Sequence, residues 1–274
     1  MKRRDSERIH PYSNTLFREL GIFDLQGVLK KDSLYQCGVE NYQVNKISEI
    51  DFGILQNEVE IARYYFCQHL QIPYYTIISV VEKQCFKIFN TFLIESKIIF
   101  QEECQLTISE FIVWWRDRQP YTQTKPMYDA ADRIKNSMID CVLFENKLAW
   151  GVNIDGFSFK ENQHVVNAIY EKRICTCKTA YNVSNYDPNK YFFGTTERKG
   201  DFPSWNVLGN LARTLSCRLF LLTFDTSDHS QVGVTRITNI SKENGLTYLN
   251  DAKPYHTIFE NNSEELKLWM HARM

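Results

Sequence analysis

At 274 residues, 43% of them hydrophobic and 24% charged, the chain can bury one large core or two smaller ones, and its composition excludes a disordered or low-complexity protein. Its 32 lysines and arginines face 33 aspartates and glutamates, a formal charge of −1, so no global basic field draws in a polyanion and any nucleic-acid contact must be a local patch. The charged start, Met1 to Arg8, leads into no apolar segment, and the long apolar runs are broken by charge or proline, so neither a secretory signal nor a membrane-spanning helix is expected.

Residues 1 to 48 are irregular by pattern, with a short helix from Asn14 to Leu20 ended by Gly21 and weak strand signals from Leu25 to Val44. Ile54, Leu55, Val59, Ile61, Ala62, Tyr65, Phe66 and Leu70 recur at helical spacing, and Pro73 bars the helix from continuing. Tyr74 to Val81 is β-branched and aromatic and reads as a strand, Cys85 to Asn90 as a second and Phe92 to Phe100 as a third. Ser109 to Arg118 reads as a helix capped by Ser109. Its Trp114 and Trp115 stand beside Arg116 and Arg118, a set that can stack on bases. The favoured reading is an aromatic helix face packed on the preceding strands, since buried tryptophan supplies core area.

Pro120 to Pro126 is a polar connection and the best internal boundary. Tyr128 to Glu145 is the clearest helix, with Met127, Ala130, Ala131, Ile134, Met138, Val142 and Leu143 along one stripe. Ile154 to Phe159 alternates as a strand does, Lys160 to Gln163 is a polar turn, and Val165 to Ile174 is a second strand. Beyond a long loop from Tyr181 to Phe202, a helix is predicted near Pro203 to Leu215, then strands at Arg218–Phe224, Val232–Ile240 and Leu246–Leu249. A last helix, Ser263 to Ala272, has Glu264 and Glu265 in its first turn. Eight cysteines are scattered, several in apolar runs such as Phe66-Cys67, and read as reduced core residues of a cytoplasmic protein. Cys175-x-Cys177 has no second pair near it and is a poor zinc site. No internal repeat, P-loop, dinucleotide fingerprint, HExxH or GxSxG is visible.

The chemistry concentrates between Leu148 and Lys178. Side chains two apart on a strand share a face, so Glu171 and Arg173 point the same way. Closing the hairpin at its turn brings Asp155 near Glu171. Two carboxylates held together repel unless a metal ion or a basic side chain lies between them. The plain alternative is a surface hairpin with a cross-strand ion pair, worth little in stability.

Asp155, a hairpin, then Glu171-x-Arg173, followed by a loop, a helix and an apolar strand, resembles the PD-(D/E)XK superfamily of restriction-endonuclease-like nucleases. The resemblance covers Met127 to Asp225, with Ile154 where the family often has proline and Arg173 where it usually has lysine. It implies an α/β fold in which a central mixed β-sheet flanked by helices forms a restriction-endonuclease-like core over residues 123–274, with an N-terminal α+β extension over residues 1–122. It implies a metal-dependent endonuclease hydrolysing phosphodiester bonds in DNA, with Mg²⁺ or Mn²⁺ held by Asp155, Glu171 and a backbone carbonyl next to the glutamate. Arg173 would orient the water or the phosphate, but it stays charged and cannot shuttle protons. The alternatives are a nuclease fold that has lost catalysis and keeps binding, or a scaffold whose N-terminal region holds a partner protein or a second copy. In the long loop, Lys190, Arg198 and Lys199 are the candidates for phosphate-backbone contact, against the reading of a surface loop with solvated charges.

Overall fold

The computed structural model describes residues 1–4, 17–122, 137–174, 183, 187–189, 192–194, 200–224, 231–249, 255–257 and 263–274. The chain is α/β, with mixed β-sheet flanked by helices, and contacts group it into two compact units. The first is Met1–Ser6 with Asp24–Ile154, and the second is Glu7–Phe23 with Asp155–Met274. The last crossing from one unit to the other falls at Ile154–Asp155. Among the described residues no helix is long and apolar enough to cross a membrane.

In the first unit, β1 (Lys2–Arg3) pairs with β3 (Leu34–Val44), and β2 (Phe23–Lys31) and β3 form an antiparallel hairpin. The weak strand signals from Leu25 to Val44 thus mark two full strands. The signal was weak because polar residues such as Gln26, Glu40 and Asn41 are buried among the apolar ones and blur the alternation. Helix α1 (Glu58–His69) begins where the Asn57 side chain accepts from the amides of Val59 and Glu60, and it stops at Leu70, after which Gln71 takes φ 57°. The chain then enters β4 (Tyr74–Val80), parallel to β3. β5 (Cys85–Ile94) and β6 (Lys97–Thr107) complete the order β2-β3-β4-β5-β6. The third strand was expected at Phe92 to Phe100, but Glu95 and Ser96, both at positive φ, make a tight hairpin turn in the middle of that run.

Helix α2 (Ile108–Arg118) is capped by Thr107, not Ser109: the Thr107 hydroxyl and the Glu110 carboxylate form a reciprocal capping box. Phe111 stacks on Phe86 at 3.8 Å, and Trp114 and Trp115 are buried, so this aromatic face is core. Helix α3 is Met138–Glu145, starting at Ser137, whose extended backbone (φ −68°, ψ 156°) ends any helix running in from before it. The remainder of the predicted 128–145 helix lies outside the described residues. Ile139, Val142 and Leu143 pack in the first unit's core, so α3 belongs to the first unit and not, as expected, to the second.

In the second unit, β7 (Val152–Phe159) and β8 (Val166–Ile174) form an antiparallel hairpin, α4 (Phe202–Thr214) follows, and β9 (Arg218–Phe224) lies parallel to β8. β10 (Gln231–Ser241), β11 (Gly245–Leu249) and the short β12 (Tyr255–Thr257) extend the sheet, with β12 on β10, and α5 is Ser263–His271. Phe17, Leu20, Tyr170, Phe220, Phe224, Val232, Trp269 and Met270 form its core.

The two units repeat one topology, contrary to the sequence reading. Each has an antiparallel hairpin, a helix, a strand parallel to the hairpin's second strand, then two antiparallel strands in spatial succession. The hydrogen-bond registers coincide as well. At the end of α1, Leu70, Gln71 and Ile72 donate to Phe66, Gln68 and Cys67; at the end of α4, Leu215, Ser216 and Cys217 donate to Leu211, Arg213 and Ala212. Gln71 and Ser216 both take positive φ. Each unit also contains the helical segment that precedes the other's hairpin in sequence, residues 17–20 in the second and α3 in the first.

Candidate functional site

Asp155 and Glu171 lie on adjacent strands, one step beyond the Gly156–Tyr170 pair of the hairpin. Gly156 is required there, because a Cβ would meet Ile22 Cγ2 at 2.9 Å and Tyr170 Cβ at 3.1 Å. The backbone amide of Lys172 donates to Asp155 Oδ2 at 3.0 Å, which fixes that carboxylate against the second strand. Arg173 Nε pairs with Glu171 Oε1 at 2.8 Å, as expected for two residues on one face of a strand. Lys172, between them, points the other way and stands over the Phe17 ring at 4.0 Å.

A residue that the sequence reading passed over completes the group. Arg173 Nη1 donates to Asp201 Oδ2 at 3.3 Å. Asp201 is the N-cap of α4, but its side chain makes no capping hydrogen bond and is turned to the guanidinium instead. The signal was present: an acid directly before Phe202-Pro203, at the start of a predicted helix. Trp205, buried on the first turns of α4, lies 5.8 Å from the Arg173 guanidinium.

Glu171 and Asp201 thus share the Arg173 guanidinium, with Asp155 close enough to Glu171 to act on its charge. The Glu171 carboxyl, only 13% exposed, is pushed up to about 7, first by burial and then by the charge on Asp155, with Asp201 adding to the rise and Arg173 opposing it. Asp155 and Glu171 are thus half-buried acids held close enough for the charge of one to oppose ionisation of the other. Among the described residues no three His, Cys, Asp or Glu side chains form a ready metal cage. Mg²⁺ does not need one, being held by one or two carboxylates while it keeps several waters.

Of the sequence-predicted residues, the structure therefore brings together Asp155, Glu171 and Arg173. Lys190, Arg198 and Lys199, named for phosphate contact, lie outside the described residues, as do Cys175, Cys177 and Lys178. In the second unit a cavity of about 550 Å³ at the C-terminal half of α4 is lined by Arg213, Arg218 and Arg236 with Ser216, Thr238 and Asn239. Compared with known proteins, the chain matches no family model, no curated protein and no solved structure.

Proposed function

We propose that the second unit is a divalent-cation-dependent nuclease that hydrolyses phosphodiester bonds in DNA. The observation that carries this reading is the half-buried group of Asp155, Glu171, Arg173 and Asp201, in which burial and the Asp155 charge push the Glu171 carboxyl up to about 7. Its order along the chain, aspartate, hairpin, Glu-x-Arg, helix, parallel strand, is that of the PD-(D/E)XK nucleases, the expectation raised by the sequence. Asp155 and Glu171 would hold Mg²⁺ or Mn²⁺, which supplies an acidified water and neutralises charge developing on the phosphate.

The chain's own residues do the positioning. Asp155 is set by the Lys172 amide, and Glu171 by Arg173. Arg173 offers a planar pair of donors that can pass from its carboxylate partners to a phosphate oxygen, and Asp201 keeps the guanidinium aimed into the site in the meantime. The arginines lining the cavity along α4 favour a polyanionic substrate on this unit.

Cleavage of plasmid and single-stranded DNA, with Mg²⁺ or Mn²⁺ against a chelator, tests the reading. Metal-dependent cutting is expected in the wild type and is expected to disappear in Asp155→Ala and in Glu171→Ala, each with an unchanged circular dichroism spectrum. A variant that cuts at the wild-type rate removes its residue from the site. A wild type that cuts nothing under any metal but still binds DNA leaves a nuclease fold that retains binding alone.

A further inference from the structure

The cavity at the C-terminal half of α4 gathers three guanidinium groups. Arg213 lies in the last turn of α4, Arg218 opens β9 and Arg236 stands in β10, and all three line the same space of about 550 Å³. Residues 236 to 240 line it in succession, where a bulge between Ile237 and Asn239 breaks the alternation of β10. Among the described residues no acidic side chain lines it. Arg213 Nη2 donates to Asn210 Oδ1, and Arg218 Nη2 donates to Asn167 Oδ1 at 2.7 Å. Both are steadied by neutral carboxamides, which leave the positive charge in place.

Arginines near the end of a helix often serve its last carbonyls. Here those carbonyls are taken. The Thr214 hydroxyl donates to the Asn210 carbonyl, and the amides of Leu215, Cys217 and Ser216 donate to those of Leu211, Ala212 and Arg213. The repeat makes the same point. Counting from the matching helix ends and strand pairs, the first unit holds Gln68, Pro73 and Asn90 where the second holds Arg213, Arg218 and Arg236. The scaffold therefore closes without these arginines, and gathering like charges in one place works against the folded state.

Such a set suits one kind of ligand. Arginine stays charged at any working pH, and its planar fork matches the oxygens of a phosphate. A carboxylate brings one charge and a pair of oxygens, whereas a terminal phosphate brings about two charges and three strong acceptor oxygens, enough to meet more than one fork. Ser216 and Asn239 add a hydroxyl and a carboxamide to the lining. Burial pushes the Cys217 thiol up to about 12, so this neighbour stays neutral and repels no anion. The volume falls within the range of roughly 300–1,000 Å³ typical of small-ligand sites, so a phosphate can enter with the sugar that bears it.

We propose that this cavity is a phosphate-binding site, taking a phosphate group borne by a nucleotide or by a nucleic-acid strand. It goes beyond the metal-dependent reading and lies apart from that group of residues: Asp201 stands at the start of α4 and Arg213 in its last turn, about 18 Å along the helix.

Calorimetric titration of the whole chain in metal-free buffer with inorganic phosphate, with adenosine monophosphate and with a short single-stranded DNA tests it. Binding is expected, and it should weaken about tenfold or more in Arg213→Gln and in Arg236→Asn, which install the residue types of the first unit. Both arginines are exposed, and each variant's fold is checked by its melting curve. Adenosine monophosphate bound as tightly as the DNA assigns the phosphate to a free nucleotide, and DNA bound much the tighter assigns it to a strand; either supports the site. No binding of any of the three, or binding that both variants keep at full strength, would overturn it. A protein that cuts DNA under no metal, yet loses phosphate binding with these arginines, upholds the site and not the nuclease reading. Metal-dependent cutting without phosphate binding at the cavity does the reverse.

Discussion

Arg63→Leu puts on α1 the residue type that α4 carries at the matching position, and it isolates what the buried arginine contributes. In the wild type the Arg63 side chain is 3% exposed and touches three carboxylates: Asp24 at 2.8 Å, Glu40 at 3.4 Å and Glu60. Asp24 is 38% exposed, so water screens that pair and its share is small. Glu60 is 1% exposed and would be left without its arginine, whereas Glu40, 0% exposed, keeps both of its bonds from Arg3. At about 1.5–3 kcal/mol for each charged hydrogen bond lost, those to Glu60 and to the Asp24 backbone carbonyl give about 3–6 kcal/mol. Breaking a buried pair by removing one partner costs about 3–5 kcal/mol, so the two routes agree. The assay is urea unfolding at neutral pH, followed by tryptophan fluorescence and circular dichroism. The double variant Glu60→Leu/Arg63→Leu should lose less than Arg63→Leu alone, because it removes a stranded charge along with its partner. A loss under about 1 kcal/mol for the single variant, typical of a surface change, would refute the view that this network holds the first unit together.

Arg173→Lys should lower the DNA cleavage rate under Mg²⁺, because lysine brings a point charge without the planar donor pair that meets Glu171 and Asp201; a rate at or above wild type would mean the fork is not used. Gly156→Ala should cost about 1–3 kcal/mol in a thermal or urea melt, since its methyl would press on Ile22 and on Tyr170 Cβ inside a packed sheet. Asp24→Asn should flatten the acid side of the stability profile. Packing around it raises the Asp24 carboxyl, but the Arg63 and Arg3 guanidiniums outweigh this and hold it below the usual carboxylate range, so its contribution, small because water screens a side chain 38% exposed, is present above about pH 4 and is lost as pH falls through that folded value. An equally steep acid loss in the variant would assign the acid sensitivity to other groups.

The sequence alone determined the elements whose signals are local. The apolar run Arg218–Phe224, the hairpin around Lys160 to Gln163 and the helix after Asp201 stand within a residue or two of where periodicity and turn chemistry put them. The approach of Glu171 to Arg173 follows from the two-residue period of a strand and needed no fold. Tertiary structure decided the rest. Asp201 joins the site from thirty residues further along the chain, through the crossover that lays β9 beside β8, and no local pattern encodes that return. The break at Ser137 within the predicted 128–145 helix was not legible, because an apolar stripe fixes a face and says nothing of a single extended residue. The repeat was invisible for a related reason. What the two units share is hydrogen-bond register and helix-end geometry, which many sequences satisfy, while their buried positions differ in kind: Gln26 for Asp155, Tyr42 for Arg173, and on the matching helices Arg63 for Leu208. On the matching helices one unit places charge, Glu60 and Arg63, where the other places Trp205 and Leu208, so the backbone kept a likeness that the side chains do not.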